Sequence, residues 1–210
     1  QAFSPILTEE PEQPFPGFRI GESWITKRSA RRLVLDAIAN AKESISAELF
    51  MIDEPAVVEA LVQAKYRGVK VRLLLDKVNL AKQAHPLLEK LEVEGAPNLA
   101  AVQRFLENHI DVGWYVPRQP KTHEKLHAKT LVIDQQRVLI GSTNLTLRAL
   151  WKNREMLVSI DNTPLATELL AAHNEDWQNH REELKSLNRW ERTLAWAVQK
   201  ILENTFKIKN

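Results

Sequence analysis

The stretch from residue 44 to residue 75 constrains the fold more than any other. Residues 44–50 (Ser-Ile-Ser-Ala-Glu-Leu-Phe) alternate as a strand does, and residues 70–75 (Lys-Val-Arg-Leu-Leu-Leu) form a second β-rich run closed by Asp76. Between them, Asp53 with Pro55 is a helix start, Val57, Val58, Leu61 and Ala64 supply an inner face, and Gly68 is a stop. A strand–helix–strand unit of this kind belongs to an α/β sheet with parallel strands.

The flanking sequence extends the same pattern. Val34, Ala37, Ile38 and Ala41 predict a helix over 29–42, and helices over 81–91 and 99–109 lead to a strand at 112–116. Residues 129–134 and 137–140 read as a hairpin across Asp-Gln-Gln, with a further strand at 155–160. From Pro164 onward the chain reads as helical, with Leu187, Trp190, Leu194, Ala197, Val198 and Ile201 on one apolar face. Four of the ten prolines (Pro5, Pro11, Pro14 and Pro16) fall at the start, which marks residues 1–26 as an extended lead-in with regular structure beginning near Lys27. The expectation is therefore an α/β domain over 27–178, a mixed, largely parallel sheet flanked by helices, with a C-terminal helical extension over 179–210.

Composition excludes more than it assigns. The absence of cysteine removes zinc-ribbon, iron–sulfur, thiol-nucleophile and disulfide-framework chemistry. With 29 basic and 27 acidic residues the net charge is +2, so attraction for a polyanion must come from local clustering. No apolar run approaches the roughly 18 residues of a membrane-spanning helix; residues 69–75 already contain Lys70 and Arg72. The sequence begins at Gln1 instead of Met, which reads as a processed product or a trimmed chain, the former favouring an exported location.

The chemistry is concentrated in His127-Ala-Lys129, Asp134, Gly141-Ser142-Thr-Asn144 and Asn153-Arg-Glu155. Given six His, fifteen Lys and seven Asp, the spacing His-x-Lys-x4-Asp is expected by chance about 0.014 times, before Gly, Ser, Asn and Glu are required at their offsets. Residues two apart on a strand point to one face, so the His127 imidazole and the Lys129 ammonium converge. Ser142 and Asn144 repeat that spacing and add neutral donors. Imidazole serves as nucleophile or proton carrier near neutral pH, Lys and Asn donors stabilise charge on phosphoryl oxygens, and a carboxylate such as Glu155 can orient an imidazole. The set lacks the carboxylate cluster that a magnesium nuclease needs and calls for no metal and no cofactor.

These motifs resemble the phospholipase D superfamily, whose signature is His-x-Lys-x4-Asp followed by Gly-Ser-x-Asn. The likeness covers roughly residues 25–178 and is greatest to the small bacterial endonucleases with one motif per chain; Phe3-Ser4-Pro5 resembles their first strand. The resemblance implies a phospholipase D-like fold and a two-step displacement at a phosphodiester, with two motifs placed face to face. One histidine attacks phosphorus to form a phosphohistidine, the other protonates the leaving oxygen, and water reverses the roles. It assigns His127 as the nucleophile or acid, Lys129, Ser142 and Asn144 as phosphate ligands, Glu155 as the orienting carboxylate, and Asp134 a structural part. One motif per chain implies a homodimer. Nucleic acid is the expected substrate, phospholipid the alternative, and a non-catalytic nucleic-acid-binding module a further one.

Other residues are weighed against plainer roles. Arg118, Lys121 and Lys125, with only Glu124 opposing them, can guide a polyanion or simply form a solvated loop. Lys27, Arg28, Arg31 and Arg32 read as a solvated helix start. Trp24, Trp114 and Trp151 read as packing, with Trp151 the best placed to line a groove. Trp190, Trp196 and Phe206 read as a stripe that folds back on the chain's own core or a dimer mate, with a membrane surface as the alternative.

Overall fold

The computed structural model describes residues 18–20, 23–27, 30–77, 96–119 and 124–207. Its first half contains β1 (Phe18–Ile20), β2 (Ser23–Lys27), α1 (Ala30–Asn40), β3 (Ser44–Leu49), α2 (Pro55–Tyr66) and β4 (Lys70–Leu75). A short 3-10 turn (Ala96–Asn98) leads into α3 (Leu99–Glu107) and β5 (Asp111–Tyr115). Then come β6 (Lys129–Ile133), β7 (Arg137–Gly141), α4 (Leu147–Trp151), β8 (Met156–Asp161), α5 (Thr163–Asn179), β9 (Arg181–Glu183) and α6 (Arg189–Lys207). The expected helix over 81–91 lies outside the described residues.

The strand–helix–strand unit forms as its sequence dictates. Glu54 caps α2, its carboxylate accepting from Val57 N at 2.7 Å, and Pro55 occupies the first turn, where no donor is needed. Past the end of α2 the chain reverses at Gly68, whose φ of 92° favours glycine. β3 and β4 then pair in parallel, from Ser44 opposite Lys70 to Leu49 opposite Leu75.

All described strands form one sheet in the order β1-β2-β8-β7-β6-β3-β4-β5-β9. The sheet is mixed, but its parallel share is smaller than the sequence reading: only β3–β4 and β4–β5 pair in parallel. The remaining pairings are antiparallel. β6 and β7 are joined by residues 134–136 alone, a link that permits only an antiparallel return, and β8 returns antiparallel on β7 across residues 142–155, which contain α4. The first link reverses at Asp134 and Gln135, both left-handed with φ of 52° and 54°. Regular structure begins before the expected start near Lys27, with β1 at Phe18 and β2 ending on Lys27, because the proline-rich composition ends at Pro16 and the segments that follow contain β-formers such as Phe18, Ile20, Trp24, Ile25 and Thr26. Similarly, β9 lies beyond residue 178 yet completes the sheet against β5.

The larger core packs α1, α2, α3 and the sheet around Ile38, Leu61, Leu73, Val102, Phe105 and Leu131. α6 lies on α3, begun by a reciprocal cap in which Asn188 N donates to Glu191 and Glu191 N donates to Asn188 Oδ1. Its buried stripe is carried by Leu194 and Ala195, with Leu187 just ahead of it. Trp190, expected on that stripe, is 54% exposed in the first turn, and Trp196 is 61% exposed.

The other face of the sheet is covered by α5 and is unusually polar. Buried His173 places Nδ1 at 3.2 Å from Ser46 Oγ and Nε2 at 3.0 Å from Thr130 Oγ1. Glu48 Oε2 lies 3.8 Å from the same Nε2, and Glu48 Oε1 is buried without a hydrogen-bond partner. Arg72 donates to Ser46 Oγ and Asn174 Oδ1, and Arg118 donates to Asp176 at 2.8 Å. Burial, and then the Asp176 carboxylate, push Glu48 up to about 7 against the pull of Arg72 and Arg118. Burial, and then Arg72, push His173 down to about 4.

A carboxyl whose pKa is raised on folding stabilises fully below its ordinary value and loses that contribution as pH rises through the folded value. For Glu48 the window runs from 4.5 to about 7. Glu48→Gln should therefore leave the melting temperature at pH 5 nearly unchanged and raise it at pH 8, by an amount equivalent to about 2 kcal/mol. An equal loss at both pH values in thermal denaturation would show that Glu48 acts as a paired anion instead.

Candidate active site

Five adjacent strand ends at one edge of the sheet build the site: β3, β4 and β7 finish there, and β6 and β8 begin there. The crevice beyond the carboxyl ends of parallel strands is where open α/β sheets place ligands. Asn98, 0% exposed, ties two of these ends together. Its Nδ2 donates to Phe50 O and Asp76 O at 3.1 Å each, and its Oδ1 accepts from Ile52 N at 2.9 Å. Asp76 in turn accepts from Leu126 N at 2.7 Å, and Phe50 N donates to Ala128 O at 2.9 Å. The segment around His127 is thus hung from the ends of β4 and β3.

Phe50 organises the histidine and the lysine. The His127 ring meets the Phe50 ring edge-on, with centroids 4.6 Å apart, and Lys129 Nζ stands 5.0 Å from the same ring. Lys129 Nζ also donates to His127 O at 2.7 Å. The two side chains share one spot as their spacing implies, although the regular strand starts only at Lys129.

The second half of the site comes from β7 and β8. Gly141 is required sterically, since a Cβ there would lie 2.0 Å from Met156 O. That close approach lets Ser142 N donate to Met156 O at 3.0 Å, Met156 N to Ser142 Oγ at 3.2 Å, and Ser142 Oγ to Glu155 Oε2 at 2.5 Å. Asn153 Nδ2 donates to Glu155 Oε1 at 3.1 Å, so within the chain both Glu155 oxygens are taken by these two residues. Asn144 is half-buried with an Oδ1 that has no partner. The 142–147 segment is laced to the end of β3: Leu145 N donates to Met51 O, Asp53 N and Glu54 N donate to Leu145 O, and Leu147 N donates to Asp53 Oδ1.

Electrostatics favour the neutral imidazole. Burial, then the charges of Lys129 and Lys125, hold His127 below its ordinary range. Burial also lowers Lys129, opposed by Glu155 and Asp76, which places both carboxylates close enough to the ammonium to feel it. Burial raises Asp53 to about 6 and raises Asp76. A neutral nucleophilic nitrogen, a cation and neutral donors beside an oriented carboxylate can receive and transfer a phosphoryl group. Among the described residues no three His, Asp or Glu side chains group as a metal site does.

The structure does not bring every expected residue here. Asp134 lies five residues further along, about 16 Å away at strand spacing. There its carboxylate accepts from Lys42 N, Glu43 N and Ser44 N at 2.9, 2.8 and 2.9 Å, clamping the turn into β3. Arg118 is tied to Asp176 on α5. Trp151 packs on the core with the Arg31 guanidinium 4.8 Å above its ring, so that face is not open to a base. Lys125 is exposed beside the site, and Lys121 lies outside the described residues.

Phe50, Asn98 and Asp76 were not among the expected site residues. Asp76 and Phe50 had a signal, Phe50 closing one strand pattern and Asp76 following the other. Asn98 had none, because its partners lie 46, 48 and 22 positions away.

Comparison with known proteins agrees with this architecture. A family model described as the phospholipase D-like domain of cardiolipin synthase matches residues 34–177. Phospholipase D of Rickettsia felis is 31% identical over 150 residues, 71% of this chain and 63% of that protein. Cardiolipin synthase A of Buchnera aphidicola is 28% identical over 181 residues, 86% of this chain and 33% of that protein. The chain thus spans less than two thirds of the length of these curated relatives. In fold it is similar to the phospholipase D family member Nuc from Salmonella typhimurium, with a TM-score of 0.63 and 28% identity, covering 79% of this chain and 100% of that one. With that match across most of its length and the motif residues gathered at one sheet edge, the chain belongs to the phospholipase D superfamily.

Proposed function

We propose that the chain is a phosphodiesterase that cleaves nucleic acid without a metal, through a phosphohistidine, at a site completed by a second copy. The observation that carries this is the gathering of His127 and Lys129 around Phe50 at the strand ends where Ser142 and Glu155 also stand; partial desolvation and the two cations Lys129 and Lys125 there favour the neutral imidazole. A neutral imidazole is a nucleophile and not an acid. The acid has to be another group, and the sequence contains only one histidine in this setting.

In the first step a neutral His127 nitrogen attacks phosphorus, the bond from phosphorus to the leaving oxygen breaks, and the imidazolium of the partner's His127 gives that oxygen its proton. In the second, the partner imidazole, now neutral, takes a proton from water as the water oxygen displaces the first imidazole. Lys129, Ser142 and Asn144 meet the charge on the equatorial oxygens. Glu155, set in place by Ser142 and Asn153, is the carboxylate that orients an imidazole in the assembled site. Phospholipid is the second reading, favoured by the likeness to proteins named phospholipase D and cardiolipin synthase A.

Purified protein in excess EDTA should cleave single-stranded DNA, duplex DNA or RNA, and His127→Ala should lower the rate at least about 10³-fold. Loss of cleavage on chelation overturns the metal-free route. Hydrolysis of phospholipid vesicles with no cleavage of nucleic acid overturns the substrate, and an active monomer in light scattering overturns the shared site.

The rate should be bell-shaped in pH, with an acid limb below the ordinary histidine value of 6.5. Lys125→Gln removes one charge that opposes the imidazolium, so His127 should titrate higher and the acid limb should move to higher pH. A limb that stays in place would show that Lys125 does not act on His127.

A further inference from the structure

Cations stand on both sides of the motif residues, at positions the motif does not use. The strand ends at this edge run in the order β8, β7, β6, β3, β4, so Glu155 and Asp76 mark the two ends of a row. At about 4.8 Å per strand the row is about 19 Å long. Lys125 stands at the Asp76 end, since the amide of the next residue, Leu126, donates to Asp76. Arg154 stands at the other end beside Glu155, and Arg148 precedes it on α4, its carbonyl accepting from Lys152 N and Asn153 N.

All three side chains are exposed, and among the described residues none has a carboxylate partner. By contrast Lys77, Arg104, Arg118 and Arg137 are paired with Glu182, Glu59, Asp176 and Asp161. The nearby carboxylates are already engaged: Glu124 accepts from Tyr115 Oη and Arg118 N, Asp76 from Leu126 N, and Glu155 from Ser142 and Asn153. Between residues 125 and 155 there are six Lys and Arg against two Asp and Glu, a surplus of four in a chain whose net charge is +2. The rest of the molecule is therefore slightly acidic; within this stretch Arg137 and Asp134 stand at the far end of β6 and β7, and the other cations belong to segments that flank the site edge.

We propose that Lys125, Arg148 and Arg154 bind the phosphates on either side of the scissile one, so that the site takes a strand of several phosphates. This rests on the phosphodiesterase reading above. A lone lipid headgroup offers one phosphodiester, which Lys129 and the neutral donors already meet. Cations at opposite ends of a row about 19 Å long cannot share one phosphate, but a strand laid along the row presents a phosphate to each. Such contacts position the strand without reading its bases, so binding is salt-dependent and indifferent to sequence.

The test is binding of a 12-nucleotide oligothymidylate to His127→Ala protein, measured by fluorescence anisotropy across a salt series. Each of Lys125→Gln, Arg148→Gln and Arg154→Gln should lower the slope of log K against log salt by about 0.7. Lys70→Gln, at the far end of the sheet, should leave it unchanged. An unchanged slope in the triple variant overturns the proposal. So does binding of phosphatidylglycerol vesicles that falls on the same substitutions with no binding of the oligonucleotide. Turnover of a small chromogenic diester by the wild-type protein is scored separately. Its absence would remove the catalytic reading, whereas the salt slope reports on the three cations alone.

Discussion

Ala47 opposite Leu131 and Leu49 opposite Lys129 are pairs through which the parallel half of the sheet meets the hairpin half. β3 has a parallel neighbour in β4 and an antiparallel neighbour in β6, with Leu49 facing Lys129 at the site end. Through this seam Phe50, one residue past β3, comes to stand beside His127 and Lys129, which precede and open β6. Ser142 and Glu155 follow because β7 and then β8 pair antiparallel beyond β6, which brings the end of β7 and the start of β8 to the same edge. Were β3 paired otherwise, the motif would be present in the sequence and absent as a site.

How much of this could be read in advance depended on distance along the chain. The strand–helix–strand unit, the hairpin and the motif are local patterns, and the structure shows an element near each of them among the described residues. The split between parallel and antiparallel pairing was less legible, because strand order is set by which edges remain open, not by any strand's own residues. Asn98 is the extreme case: an ordinary asparagine in sequence, it joins two strand ends through partners far away in the chain. Trp190 shows the opposite error. Its spacing to Leu194 matches a helical face, yet it sits in the opening turn of α6 and is exposed.

The two faces of the sheet handle charge differently. At the site edge, carboxylates are satisfied by backbone or neutral donors, and the ammonium of Lys129 is buried between an aromatic ring and carbonyl oxygen. Under α5, a carboxyl and an imidazole are buried together, each displaced toward its uncharged form. Thr130, directly after Lys129, points into the second environment, so successive residues of one strand serve two separate polar clusters.

That alternation gives Asp134 a meaning beyond holding a turn. Strand β6 is fastened at one end by three amides on the Asp134 carboxylate, and just ahead of the other by Leu126 on Asp76. A strand pinned at both ends has no freedom of register. A slip of one residue would exchange its faces, carrying the Lys129 ammonium under α5 beside Arg72 and groups held toward their uncharged forms. The two clamps thus act as a ruler that keeps a cation needed at one face from being buried in the other.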